Sequence, residues 1–119
     1  MAEETAVIGC HSEADWEEHL RRGNESKRLV VVDFTASWCG PCRIIAPFFA
    51  ELAKKLPEVL FLKVDVDELP KVAADWAVEA MPTFVIVREG TILDRVVGAK
   101  KEELHQKIQH HLGSATVSA

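Results

Sequence analysis

The sequence of 119 residues lacks several features that mark particular classes of protein. It has no apolar run long enough to span a bilayer, and the first residues, MAEETAVIG, have neither the order of a secretory signal nor the arginine-rich character of a transit peptide. It also has no cluster of lysine and arginine, and its net charge is −5 at pH 7. These absences predict a cytoplasmic protein with neither a membrane nor a nucleic-acid partner.

The composition predicts one ordinary domain. With 48% hydrophobic and 28% charged residues, a chain of this length buries roughly two thirds of the surface that its unfolded form exposes. No internal repeat divides it, so we expect a single domain over residues 1–119.

Apolar and amphipathic stretches alternate along the chain, which predicts a mixed α/β sheet flanked by helices. Ser12 is expected to cap the first helix, with Asp15 three residues later. The pattern predicts strands over 5–9, 29–36, 59–66, 83–88 and 91–97, helices over 12–22, 39–56, 69–76 and 100–112, a loop over 23–27, and a frayed tail over 113–119.

Two cysteines stand one helical turn apart in the segment Trp38-Cys39-Gly40-Pro41-Cys42, directly after an apolar run. At the start of a helix they lie on one face, close enough to form a disulfide. Cys39 would lie among unpaired N–H groups at the positive end of the helix dipole, so it is the predicted nucleophile and Cys42 the resolving thiol.

Other interpretations of this pair remain open. Zinc would need four ligands, and no second pair of cysteines is available, so no metal is expected. A disulfide oxidase or isomerase and a non-catalytic binding module or holdase are the alternative functions. Pro41 either withholds an N–H from the Cys39 sulfur or simply starts the helix.

The string WCGPC resembles the thioredoxin family, and other positions extend the match over residues 7–112. Four segments resemble more specifically the cytosolic h-type thioredoxins of plants: FTASWCGPC, FLKVDVDEL, VEAMPTF and VVGA. Residues that fit the family pattern outside the motif are Asp33, Pro47, Lys63, Met81-Pro82, Gly90 and Gly98.

This resemblance implies a thioredoxin fold, with a central mixed five-stranded sheet flanked by four helices. It also implies a protein disulfide reductase with no bound cofactor. The implied partners are disulfide-containing target proteins and thioredoxin reductase, which supplies electrons from NADPH; the glutathione and glutaredoxin system is a second possible donor.

The resemblance further implies a cis Met81–Pro82 bond facing the dithiol and a groove that binds an extended peptide by strand addition. The residues assigned to substrate binding are Trp38, Gly40, Pro41, Ala80, Met81, Pro82, Val97 and Gly98.

Asp33 is the one ionisable side chain in the apolar strand before the motif, so burial should raise its pKa. A carboxyl of this kind could exchange a proton with Cys42. The alternative is an ion pair with Lys63 on the neighbouring strand, and the two roles are compatible.

Cys10 is the remaining thiol. It is expected to be a small, half-buried hydrophobe, and an intermolecular disulfide or a glutathione adduct is the alternative. We therefore expect a monomer, with a Cys10-linked dimer as the second possibility.

Overall fold

The computed structural model describes residues 6–118, and for residues 114–118 it describes the backbone alone. The nine elements follow in the predicted order. They are β1 (Val7–Cys10), α1 (Glu13–Glu25), β2 (Val30–Thr35), α2 (Gly40–Lys55), β3 (Leu60–Asp65), α3 (Pro70–Asp75), β4 (Thr83–Arg88), β5 (Thr91–Val97) and α4 (Lys101–Ser118). Thr5, the predicted start of the first strand, lies outside the described residues.

The strands form one mixed sheet in the order β1-β3-β2-β4-β5. β2 is central, parallel to β3 and antiparallel to β4, and all six of its residues are buried. β4 and β5 form the expected hairpin with the predicted bounds, because Glu89 and Gly90 adopt the positive φ angles that a two-residue turn needs. The mixed five-stranded sheet with four helices is confirmed.

Each face of the sheet carries its own hydrophobic core. Val31, Phe49 and Phe84 belong to the core that includes residues of α2 and α4, and Val32 and Phe34 belong to the core that includes residues of α1 and α3. Because successive side chains of a strand point to opposite faces, Asp33 shares the face of Val31. The buried carboxyl is thereby directed toward α2, the helix that carries the dithiol.

Helix α1 is longer than the sequence pattern predicts. Ser12 caps it as expected, accepting a hydrogen bond from the Asp15 N–H at 3.0 Å. The helix then continues through Gly23 to Glu25, where a loop was expected. Gly23 is helical and buried because the chain needs a residue without a side chain there: an added Cβ would lie 2.7 Å from Val30 Cγ2 and 2.8 Å from Leu60 Cδ2.

Helix α4 also extends beyond its predicted end. It continues from residue 112 to Ser118, so residues 113–118 are helical where a frayed tail was expected. The segment after Leu112 contains no proline, and its single glycine weakens a helix without ending it. Across the part of the chain that the structure describes, no helix has both the length and the apolar composition needed to cross a membrane.

Candidate active site

The two cysteines of the WCGPC segment lie where the central strand leads into helix α2. Cys39 is the N-cap residue of α2, and Cys42 lies in its first turn. A disulfide joins them, with their Cα atoms 5.3 Å apart. This is the C-terminal end of β2, the edge of an open α/β sheet at which binding sites usually form. The structure therefore shows the oxidised form of a redox pair.

The start of α2 creates a polar environment around the Cys39 sulfur. The Cys42 N–H donates to Cys39 Sγ at 3.2 Å, and Pro41, in the first turn, has no N–H to offer. The unpaired N–H groups of a helix start carry a partial positive charge. In the dithiol form these groups favour a thiolate on Cys39 over one on Cys42.

The loop before β4 approaches the same sulfur from the other side. Cys39 Sγ lies 3.6 Å from the carbonyl oxygen of Met81, and the Met81–Pro82 bond is cis, as expected. Cys39 and Cys42 are only 5% and 4% exposed and pack with Ala36. We refer to the surface where Cys39 meets Met81 as the opening beside the disulfide.

Asp33 is 4% exposed, and its Oδ1 atom is buried with no hydrogen-bond partner in the described part of the chain. Burial raises the pKa of this carboxyl to about 7, and the charge of Lys63 opposes that rise. Lys63 occupies the paired position on β3, but its side chain is exposed, and no ion pair between the two is found among residues 6–113. The raised pKa expected from the sequence is confirmed.

Several of the residues that the resemblance assigns to substrate binding are exposed or adjoin the disulfide along the chain. Trp38 is 64% and Val97 is 50% exposed, which is unusual for large apolar side chains. A Cβ added to Gly40 would meet nothing within 4 Å, so no packing within the described chain requires glycine there. Among the described residues, the Met81 N–H donates no hydrogen bond. These residues thus include exposed apolar side chains and a free backbone donor.

Two hydrogen bonds fix the backbone around the opening beside the disulfide. The Gly98 N–H donates to the Pro82 carbonyl at 2.8 Å, and the Thr83 hydroxyl donates to the Ala80 carbonyl. Gly98 has a φ of 104°, a value that favours glycine because it lacks a Cβ. The end of β5 is thereby held against the cis-proline loop.

Sequence reasoning missed Asp67. The indole Nε1–H of Trp38 donates to Asp67 Oδ2 at 2.8 Å, and the Asp67 N–H donates to Asp65 Oδ1 at 2.8 Å. This chain of contacts orients an indole that would otherwise rotate freely in solvent. The only signal in the sequence was the alternation of aspartates in VDVDE at the end of β3, a pattern that is equally typical of a solvated strand end.

Cys10 differs from the half-buried thiol that was expected. It is 1% exposed, within the core beside α1. Burial, with a contribution from the charge of Asp15, raises the pKa of its thiol to about 11. A buried, protonated thiol is a poor nucleophile, so the structure disfavours a Cys10 disulfide or glutathione adduct. Among the described residues, no three side chains of His, Cys, Asp or Glu are grouped to hold a metal ion.

Comparison with known proteins agrees with this site. The thioredoxin family model matches residues 7–110. The chain is 68% identical over 111 residues to Thioredoxin H1 of Arabidopsis thaliana, covering 93% of this chain and 97% of that protein. It is 66% identical over 115 residues to a Thioredoxin H-type protein of Ricinus communis, covering 97% and 98%.

A solved structure supports the same assignment. The crystal structure of thioredoxin NaTrxh from Nicotiana alata superposes with a TM-score of 0.88 at 44% identity, covering 93% of this chain and 96% of that one. The chain therefore belongs to the thioredoxin family and is a thiol-disulfide oxidoreductase, similar to the plant h-type thioredoxins, with the Cys39–Cys42 pair as its redox centre.

Proposed function

We propose that Cys39 is the nucleophile and Cys42 the resolving thiol in the reduction of protein disulfides. The Cys39 thiolate attacks one sulfur of the substrate disulfide, forms a mixed disulfide, and releases the other substrate sulfur as a thiolate. The Cys42 thiolate then attacks Cys39 Sγ and releases the second substrate sulfur. Two electrons pass to the substrate, and the protein is left with the Cys39–Cys42 disulfide.

The observation that carries this assignment is the 3.2 Å hydrogen bond from the Cys42 N–H to Cys39 Sγ. It places a backbone donor and the positive end of α2 at one sulfur of the pair. A thiolate is the attacking species in disulfide exchange, so the sulfur with this stabilisation attacks first. Cys42, one turn further along, is positioned to attack Cys39 in the second step.

Asp33 is proposed to accept the proton that Cys42 loses before that second attack. It is directed toward α2 from the centre of the sheet, and a pKa of about 7 allows it to gain and lose a proton near neutral pH. The exposed Lys63 is proposed to support this exchange through its charge, which stabilises the Asp33 carboxylate.

The groove around the disulfide is proposed to bind an extended segment of the substrate. The free N–H of Met81 would pair with the substrate backbone, as in strand addition. Trp38, Ala80 and Val97 would contact its side chains, Gly40 and Pro41 would allow close approach, and Pro82 and Gly98 would hold the groove in shape.

The proposed reductant is NADPH acting through thioredoxin reductase, with the glutathione system as the second possible donor. The proposed partners are disulfide-containing target proteins in the cytoplasm. We propose that the protein acts as a monomer, because burial of Cys10 removes the thiol that would link two copies.

The test is NADPH consumption by thioredoxin reductase in the presence of this protein and insulin. Wild type should support continuous turnover, and Cys39→Ser should not. Cys42→Ser should accumulate covalent mixed disulfides through Cys39, and Cys39→Ser should trap almost none. Equal trapping by the two variants, or adducts that map to Cys10, would show that the roles are assigned wrongly.

A further inference from the structure

A cavity of about 760 Å³ lies between helix α2 and the β1 side of the sheet, and we refer to it as the α2–β1 cavity. Its walls come from β1, β3 and α2, and Asp33 of β2 also lines it. The groove beside the disulfide is built from Trp38 and the start of α2, the loop before β4 and the end of β5. None of the residues assigned to the groove lines the cavity, so the two are separate surfaces.

The cavity contains a buried acceptor without a donor. Asp33 is 4% exposed, and its Oδ1 atom receives no hydrogen bond from the described residues. A buried polar atom without a partner is costly, and native structures rarely tolerate one. No hydrogen bond to the other carboxyl oxygen is found among the described residues either, and Asp33 lines the cavity. The cavity is therefore the space from which a donor outside the chain would reach this carboxyl.

The remaining lining selects the shape and charge of such a molecule. Val7, Ala46, Pro47 and Ala50 give the cavity an apolar wall. The charged lining groups are three carboxylates, Asp33, Asp65 and Glu68, and two basic side chains, Arg43 and Lys63. Glu68 also contacts His11 at 3.0 Å across the cavity rim. An apolar body with a cationic donor matches this combination better than an anion.

The volume fits a small organic molecule, since ligand cavities in proteins measure roughly 300–1,000 Å³ and are lined mainly by apolar groups with a few polar ones. We propose that the α2–β1 cavity is a binding site for a small organic cation, a primary ammonium on an apolar body, with the ammonium donating to the Asp33 carboxyl. The proposal does not depend on the proton-transfer role of Asp33.

The experiment uses the full-length, oxidised protein, in which the Cys39–Cys42 pair does not titrate. Benzylamine is the probe, and benzyl alcohol and benzoate are its neutral and anionic counterparts. Binding is followed by the amide chemical shifts of isotope-labelled protein. We expect benzylamine to shift amides that line the cavity, with a Kd on the order of 1 mM, and to bind about tenfold more tightly than benzoate.

Two variants test the residues that carry the proposal. Asp33→Asn removes the anionic acceptor and should weaken benzylamine binding about tenfold. Ala50→Leu fills the apolar wall and should abolish binding. Ala74→Leu, which adds the same atoms to an exposed residue of α3 outside the cavity, should leave the affinity unchanged.

The pH dependence separates Asp33 from its neighbours. The groups that face it are Lys63 and Asp65 of β3, Arg43 of α2, and His11 and Glu68 at the rim; its β4 neighbour, Phe84, does not titrate. As Asp33 ionises, benzylamine affinity should rise about tenfold from about pH 6 to about pH 8. In Asp33→Asn the rise should be less than about threefold.

Several results would overturn the proposal. Equal affinities for benzylamine and benzoate would exclude recognition of the cation. Shifts at Trp38 and Met81, or shifts spread over the acidic surface, would place binding elsewhere. A wild-type pH profile retained by Asp33→Asn would show that Asp33 is not the group that controls binding. If Ala50→Leu does not fold, the shift map and Asp33→Asn decide the question alone.

Discussion

Asp33 and Lys63 occupy paired positions on the adjacent parallel strands β2 and β3, yet the carboxyl is buried and the lysine side chain is exposed. No ion pair joins them within the described residues, so the charge of Lys63 only partly offsets the cost of burying the carboxylate. The pKa of Asp33, about 7, therefore lies close to neutral pH, where the carboxyl gains and loses its proton.

Asp33→Asn should change the pH dependence of stability. The Asp33 pKa is about 7 in the folded protein and near 3.8 in the unfolded chain, so the folded state binds the proton more tightly. The Asp33 contribution to the free energy of unfolding is therefore greatest at low pH and falls as pH rises toward about 7. Between about pH 5 and about pH 8 wild type should lose about 3 kcal/mol relative to the variant. Denaturant midpoints at the two pH values measure this, and parallel profiles would contradict it.

The same substitution should slow the second chemical step. Without a carboxylate to accept the Cys42 proton, decay of the mixed disulfide should fall roughly a hundredfold near neutral pH. Stopped-flow measurement of that decay separates this effect from the change in stability. If decay is unchanged while the denaturant midpoint shifts, Asp33 has a structural role alone.

Substitutions of Pro41 should make the protein a weaker reductant. Pro41→Ala restores a backbone N–H near Cys39 Sγ, and Pro41→His adds a potential positive charge as well. Each pKa unit of thiolate stabilisation favours the reduced form by about 30 mV. Redox titration against glutathione should give less negative potentials for both variants, with the larger shift for Pro41→His. An unchanged or more negative potential for Pro41→His would refute the electrostatic argument.

Cys10→Ser should retain insulin reduction but lose stability. The serine hydroxyl would be buried in an apolar core, at a cost of about 1–3 kcal/mol. Cys10→Ala, which leaves no polar atom, is the matched control and should cost less. Wild type treated with oxidant should form no Cys10-linked dimer on non-reducing gels. Dimers that form in wild type but not in Cys10→Ser would show that the Cys10 thiol is accessible.

Gly23→Ala should destabilise the fold although alanine favours helices. The new Cβ would lie 2.7 Å from Val30 Cγ2 and 2.8 Å from Leu60 Cδ2, and overpacking of this kind costs about 1–3 kcal/mol. Gly113→Ala is the control, because a Cβ there meets nothing within 4 Å, and it should stabilise the helix slightly. Thermal unfolding compares the two, and equal melting temperatures would contradict the packing argument.

Local patterns predicted much of this fold because its elements follow local rules. The β4–β5 hairpin has its predicted bounds, since Gly90 marks a two-residue turn between two runs rich in β-branched residues. The extension of α1 could not be predicted, because Gly23 is helical for a reason set by Val30 and Leu60. The register shift between Ile86 and Val87 also left no sign in the sequence.

The candidate site was predicted unevenly for the same reason. Spacing alone identified Cys39 and Cys42 as a pair, and position in an apolar strand identified the raised pKa of Asp33. The cis bond before Pro82 came from the family resemblance, because most bonds before proline are trans. The Trp38–Asp67 contact joins residues from two loops, so no local sequence pattern predicts it.

The near-complete burial of Cys39 and Cys42 limits which substrate disulfides can reach these two cysteines. Their sulfurs do not protrude, so the approaching disulfide must do so. A cystine locked inside a rigid domain offers no strand that can enter the opening beside the disulfide, however easily it could be reduced. A cystine on a pliable segment can be carried in. Mobility in the oxidised protein, more than the strength of its sulfur–sulfur bond, should therefore decide which molecules are reduced first.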